Sequence, residues 1–372
     1  MTRALAITGS YKGVTGHDHH TRSIARALHQ RGVRIELHDL PIWSPAKLPE
    51  SLQDPWFDEQ RELVHAKVHL HFCMPHQVRR ADGVRTVNYT MFEADRIPEV
   101  WARHSASHDL VVVPAESCRR AWAASGVPQE KVAVCPLGVD VTMFAPGVVP
   151  LSFDTASGAT PMERRVRFLN VSDATDRKNL TGLLKAWLRA TTKADDAALL
   201  LKAGFYTPGS QQRFDARVRE LERAVGRTVE EAAPIFHVGG VFAPQAMPAL
   251  YAAATHYISV SRGEGYDLPM VEAGASGLEL IAPRHSAYLD YLTDRIAHLI
   301  PARRVQARLP DDPETEKFFR GAHWWEPEED DACRIIREII DGTAAPKESA
   351  RTALSHLSWL ATAERLEALL LT

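Results

Sequence analysis

Long apolar runs are missing from this 372-residue chain. No stretch approaches the roughly 18 residues needed to span a bilayer. The apolar part of Met1-Thr-Arg-Ala-Leu-Ala-Ile-Thr8 is too short for a secretory signal and reads as a first β-strand. Cysteine is scarce. Cys73, Cys118, Cys135 and Cys333 form no Cys-x-x-Cys pair, which argues against a zinc ribbon or a redox motif and for free thiols in a reducing cytoplasm. An excess of one charge is also missing. The 44 basic and 47 acidic residues leave a net charge of −3, so nothing global draws the chain to nucleic acid. The pairs Arg79-Arg80, Arg119-Arg120 and Arg303-Arg304 are expected on solvated faces, and they leave peripheral membrane contact open. No internal repeat or low-complexity tract is present. What is there is an ordinary globular composition, 45% hydrophobic and 24% charged, at a length that suits two domains.

The first half reads as a Rossmann-like unit. A strand at 4–8 runs into a loop holding Gly9, Gly13 and Gly16, then a helix at 18–30 and a strand at 33–37. These glycines do not fit Gly-x-Gly-x-x-Gly, which argues against a nicotinamide cofactor. His17, His19 and His20 follow the loop. They could be metal ligands or polar residues at a helix start, and the lack of matching Cys or carboxylate spacing favours the second. Residues 41–62 read as a loop. A strand at 66–72 puts His69 and His71 on one face, where satisfied core histidines are expected. Strands at 85–90, 109–114 and 131–136 and a helix at 117–125 follow. Residues 147–163 hold Pro, Gly, Ser and Thr without periodicity and read as a linker.

The second half alternates in the same way. Strands are expected at 166–171, 198–202, 234–239 and 278–283. Helices are expected at 180–190, with Leu183, Leu184 and Trp187 inward, and at 211–225, 247–254 and 326–340. Residues 301–325 read as irregular, with Trp324 and Trp325 in a packed loop.

The chain is organised around Ser259-Val-Ser-Arg-Gly-Glu-Gly-Tyr-Asp-Leu-Pro-Met-Val-Glu-Ala-Gly-Ala-Ser-Gly277. It reads as a strand end, a tight polar loop and a short helix. Gly265 allows a sharp bend, Pro269 suits the helix start, and Gly277 suits its end. The helix N-terminus then offers free N–H groups to an anion. Two carboxylates frame it, Glu264 in the loop and Glu272 about one turn into the helix.

This pattern resembles the donor-site signature of retaining glycosyltransferases of the GT-B fold. The usual form is Glu-Gly-Phe-Gly-Leu-Pro followed by Glu-Ala, and here Tyr266 stands for Phe and Asp267 for the second Gly. Other segments agree. Thr90-Met-Phe-Glu-Ala-Asp-Arg-Ile-Pro-Glu-Val-Trp101 resembles a signature of one bacterial branch, with Thr90 where many relatives carry His. Pro136-Leu-Gly-Val-Asp140 resembles the bridge closing the first domain, with Gly138 expected to supply a special backbone angle. Arg177-Lys178-Asn179 resembles the phosphate clamp, although Asp173 stands where relatives often carry Arg, so that Arg177 is expected to substitute. Ser358-Trp-Leu-Ala-Thr-Ala363 resembles the ending whose last helix crosses back onto the first domain.

The resemblance covers nearly the whole chain and implies an α/β, GT-B architecture. Two Rossmann-like domains are expected to face each other across a cleft, an acceptor domain at 1–146 and a donor domain at 165–344. The linker is 147–164, and the C-terminal helix of about 345–372 returns to the first domain. The implied substrates are a nucleotide diphosphate sugar and a hydroxyl acceptor such as a glycan, a lipid-linked sugar or a natural product. No cofactor is implied. Retention without a bound metal is the precedent, in keeping with the absence of an Asp-x-Asp motif in a donor-like context; Asp195-Asp196 and Asp311-Asp312 lie in expected loops. The implied catalytic residues are Glu264, Lys178 and Lys202. Donor contacts are carried to Arg177, Lys178, Lys202, Glu264, Gly265, Tyr266, Asp267, Leu268, Glu272, Gly240 and Val241, and acceptor contacts to Gly13, Gly16, His17, Thr90 and Glu93. Asp267 adds a charged acceptor where relatives have none and is expected to change which sugar is read. A 2-epimerase of nucleotide sugars, or a non-catalytic sugar-nucleotide-binding partner of another enzyme, are the alternatives.

Overall fold

The computed structural model describes residues 3–371 apart from 41–43, 45, 154–158, 207 and 311. Parts of the expected loop at 41–62 and linker at 147–164, and Asp311, therefore lie outside the described residues.

Two six-stranded parallel sheets build the chain. The first contains β1 (Ala4–Gly9), β2 (Arg34–His38), β3 (Val68–Phe72), β4 (Arg85–Tyr89), β5 (Leu110–Val113) and β6 (Val132–Val134), in the order β2-β1-β3-β4-β5-β6. The second contains β7 (Val166–Asp173), β8 (Ala197–Gly204), β9 (Ile235–His237), β10 (His256–Ile258), β11 (Glu279–Pro283) and β12 (Ala297–Ile300), in the order β12-β11-β10-β7-β8-β9. Counted from β7, this is the doubly wound order of a Rossmann sheet, with its switch point between β7 and β10. The central strands are apolar runs buried on both faces, as in Leu110-Val-Val-Val113 and Leu199-Leu-Leu201, because helices cover both sides. The helix Leu180–Ala190 shows the complementary pattern, burying Leu180, Leu183, Leu184 and Trp187 along one stripe.

The closing helix, Trp359–Leu370, returns to the first half. Ser358 caps it by accepting from the Ala361 N–H, and Trp359 lies 5.7 Å from the His19 ring on the opening helix Gly16–Gln30. Thr362 Oγ1 donates to the Pro136 carbonyl at 2.9 Å, and Glu367 pairs with Arg3 and Arg31.

Three expectations need correction. Gly138 does not have a positive φ; a Cβ there would lie 2.3 Å from the carbonyl carbon of Ser358, so glycine is required by the close passage of the returning chain. Residues 301–325 are not wholly irregular. Ala302–Gln306 (β13) and His323–Pro327 (β14) pair antiparallel, and Trp324 is buried in the core. The intervening segment separates the two strands too widely for a local hairpin signal. The expected loop at 41–62 contains short helical turns at Glu50–Leu52 and Trp56–Glu59.

Candidate functional site

The C-terminal ends of β1, β4, β7 and β10 converge on one group of side chains. The loop after β7 and the loop after β10 are stitched together. Arg262 N donates to the Arg177 carbonyl at 2.8 Å, Arg262 Nη1 to the Asp176 carbonyl at 2.7 Å, and Ser261 Oγ to the Arg177 carbonyl at 3.2 Å. Asn179 adopts a left-handed conformation at φ 57°, which Asn tolerates, and its Nδ2 donates to the Val260 carbonyl at 3.1 Å. These bonds set the positions of Arg177 and Lys178.

Glu264 receives both cations. Lys178 Nζ donates to Oε1 at 2.7 Å, and Arg177 Nη1 to Oε2 at 3.2 Å and to the Gly263 carbonyl at 2.8 Å. Glu264 is only 4% exposed. Burial alone would raise its carboxyl, but Lys178 and Arg177 outweigh that and hold it below the ordinary range. The same pairing raises Lys178 despite its burial. Arg177 Nη2 also stands 3.9 Å from Glu93 Oε1, so it joins the first half to the second. Burial lowers His17, at the start of the first helix, with Glu93 and Asp18 opposing the shift and Arg177 adding to it.

The next turn of chain carries Asp267 at φ 68°, the N-cap of the helix Leu268–Ala275. The left-handed residue is thus Asp267 and not Gly265. Glycine at 265 is explained by contact, since a Cβ there would lie 2.8 Å from Met91 Cγ of the first half. The Asp267 side chain does not cap its helix; Tyr288 Oη donates to its Oδ2 at 2.7 Å. Burial and the neighbouring Glu264 push its carboxyl up to about 6. Glu272, the fifth residue of the helix, accepts from Tyr251 Oη at 2.6 Å and lies 3.6 Å from His19 Nε2. Burial pushes it up to about 7.

Other expected site residues sit around this group. Tyr266 donates to the Leu137 carbonyl at 2.9 Å, and Leu268 is buried at the helix start. Thr90 is buried just beyond β4. Gly13 donates its N–H to Asp18 Oδ1 at 2.8 Å, and Gly16 opens the first helix. Gly240 and Val241 are exposed. Lys202 has other partners. It ends near Gly240, whose carbonyl accepts from Nζ at 2.7 Å, and lies 5.2 Å over the Phe242 ring. No hydrogen bond or ion pair among the described residues joins it to Glu264.

The architecture has solved counterparts. HepE from Anabaena, in complex with UDP and glucose, superposes with a TM-score of 0.63 at 12% identity, over 99% of each chain. Sucrose-phosphate synthase from Thermosynechococcus elongatus gives 0.66 at 14% identity, over 99% of this chain and 98% of that one. A glycosyltransferase from Rickettsia africae gives 0.59 at 14% identity, over 98% and 97%. This is the GT-B fold. No family model and no curated protein matches the sequence.

The structure brings Glu264, Lys178, Arg177 and Asp267, expected as donor contacts, together with Glu93, expected as an acceptor contact. The sequence reading missed the tyrosines that hold the carboxylates, Tyr251 on Glu272 and Tyr288 on Asp267. No spacing rule links residues so far apart in sequence.

Proposed function

We propose that the chain is a retaining glycosyltransferase that moves a hexose-type sugar from a nucleotide diphosphate sugar to a hydroxyl acceptor. The second half would hold the donor and the first half the acceptor. The observation that carries this reading is the buried Glu264 carboxylate held by Lys178 and Arg177 at the switch point of a Rossmann sheet, opposite Glu93 of the other half. An ammonium has three donors. Lys178 uses one on Glu264 and can turn others to a phosphate. As the bond from the anomeric carbon to phosphate oxygen breaks, the diphosphate gains charge, and Lys178, Arg177 and the N-terminus of the helix Leu268–Ala275 stabilise it. The acceptor oxygen bonds to the same face of the anomeric carbon and its proton passes to the departing phosphate oxygen. Glu264 orients the sugar and stabilises the positive charge that develops on it. Charge neutralisation falls to side chains in this reading, with no metal required.

UDP and glucose in the HepE structure make UDP-sugars the first donors to test. A thermal-shift screen of UDP-, GDP-, ADP- and dTDP-sugars identifies the donor, and product analysis with and without a hydroxyl acceptor identifies the reaction. Isomerised donor in the absence of acceptor would make the protein an epimerase. Binding without turnover by any acceptor would make it a binding partner.

A further inference from the structure

The Asp267 carboxylate is not used to cap its own helix. A left-handed φ of 68° favours glycine, yet a charged residue stands there. Its side chain turns away from the helix N–H groups it could cap and accepts from Tyr288, whose hydroxyl also lies 2.7 Å from Ser259 Oγ. It is 7% exposed. Its charged neighbours are Glu264 and Lys178, with Arg177 and Glu272 in electrostatic reach. The carboxylates of Glu93, Asp173, Glu264, Asp267 and Glu272 outnumber the cations of Arg177 and Lys178, and Arg177 is already shared between Glu93 and Glu264. His17 and His19 are held toward the neutral form by burial. Arg177 and Lys178 therefore suit one anionic part of a ligand, the diphosphate, and no ion pair among the described residues gives Asp267 a cation to offer a second.

Resting on the donor-site reading above, we propose that Asp267 determines sugar specificity. Held by Tyr288, it accepts hydrogen bonds from hydroxyls of the transferred sugar and excludes sugars that carry a carboxylate. The donor is then a neutral hexose and not a hexuronate. A site built from charged acceptors discriminates by attraction and by repulsion together.

The test compares UDP-glucose with UDP-glucuronate, or the matching pair on whichever nucleotide binds, with the nucleoside diphosphate alone as a third arm. Wild type is expected to prefer the hexose by about 100-fold or more in kcat/KM. Asp267→Asn and Asp267→Gly are each expected to cut that preference at least about tenfold while leaving affinity for the bare nucleoside diphosphate equal to or tighter than wild type. Asp267→Gly suits the backbone and keeps the test independent of folding. Equal use of both sugars by wild type, or an unchanged preference in both variants, overturns the inference and leaves the donor site standing. Failure of every nucleoside diphosphate and nucleotide sugar to bind wild type removes the donor site and this inference with it.

Discussion

His19 Nε2 of the opening helix stands 3.6 Å from Glu272 Oε1, so the first half of the chain touches a carboxylate expected to contact the donor, which we assign to the ribose hydroxyls of the nucleotide. Tyr251 fixes the other oxygen. Hydrogen bonds from ribose hydroxyls to the Glu272 carboxylate would exist in ground state and transition state alike, so losing their charge is a binding loss. Glu272→Gln is expected to raise the donor KM with kcat little changed. Steady-state kinetics with both substrates varied checks this, and a fall in kcat with an unchanged KM would contradict it.

Glu264 should fail differently. It faces charge that develops only as the sugar leaves phosphate. Glu264→Gln is expected to lower kcat by about 100-fold, as for other preorganised electrostatic groups. The substitution also frees Lys178 from its ion pair, so affinity for the bare nucleoside diphosphate should not weaken. Near wild-type kcat would remove Glu264 from its proposed role.

Lys178 and Lys202 should separate. Lys178→Ala removes a charged hydrogen bond to phosphate and is expected to weaken nucleoside diphosphate binding by about 1.5–3 kcal/mol. Lys202 is engaged by the Gly240 carbonyl away from Glu264, so Lys202→Ala should cost less. Calorimetry on both variants decides, and equal losses would restore Lys202 to the clamp.

Acid should destabilise the fold. Burial lowers His19, His69, His108 and His285 to about 4 and His71 to about 3, from 6.5. Unfolding therefore takes up protons below pH 6.5, and stability falls as pH drops from there toward 4. Asp267 and Glu272, raised to about 6 and 7, act oppositely in part of that window, but the histidines outnumber them. Each net proton taken up costs about 1.4 kcal/mol per pH unit. Denaturant unfolding at pH 7 and pH 5 should show the loss, and His71→Leu should reduce it.

Gly138→Ala is expected to lower stability by about 1–3 kcal/mol, the usual range for overpacking, because its new methyl meets the backbone at Ser358. A thermal melt unchanged from wild type would mean that the returning chain can shift aside.

The sequence by itself determined the local pieces. Buried apolar runs gave most of the strands, and a stripe at helical spacing gave Leu180–Ala190. His69 and His71, both expected as satisfied core histidines, differ: half-buried His69 pairs through Nε2 with Thr8 Oγ1 at 2.7 Å, whereas buried His71 has no hydrogen-bond partner on either ring nitrogen. The strand–loop–helix at 259–277 was legible because its glycines, proline and carboxylates act within a few residues of one another. Tertiary structure decided what depends on distant approach. It made Arg177 the bridge between Glu264 and Glu93, gave Asp267 the left-handed turn that glycine usually takes, and assigned Tyr251 and Tyr288 to carboxylates 21 residues away in sequence. It also drew Lys202 to Gly240 and required glycine at 138 and 265 through contacts with Ser358 and Met91. Periodicity and propensity report how a residue suits its own segment. They carry no record of which other segment will pass within van der Waals range.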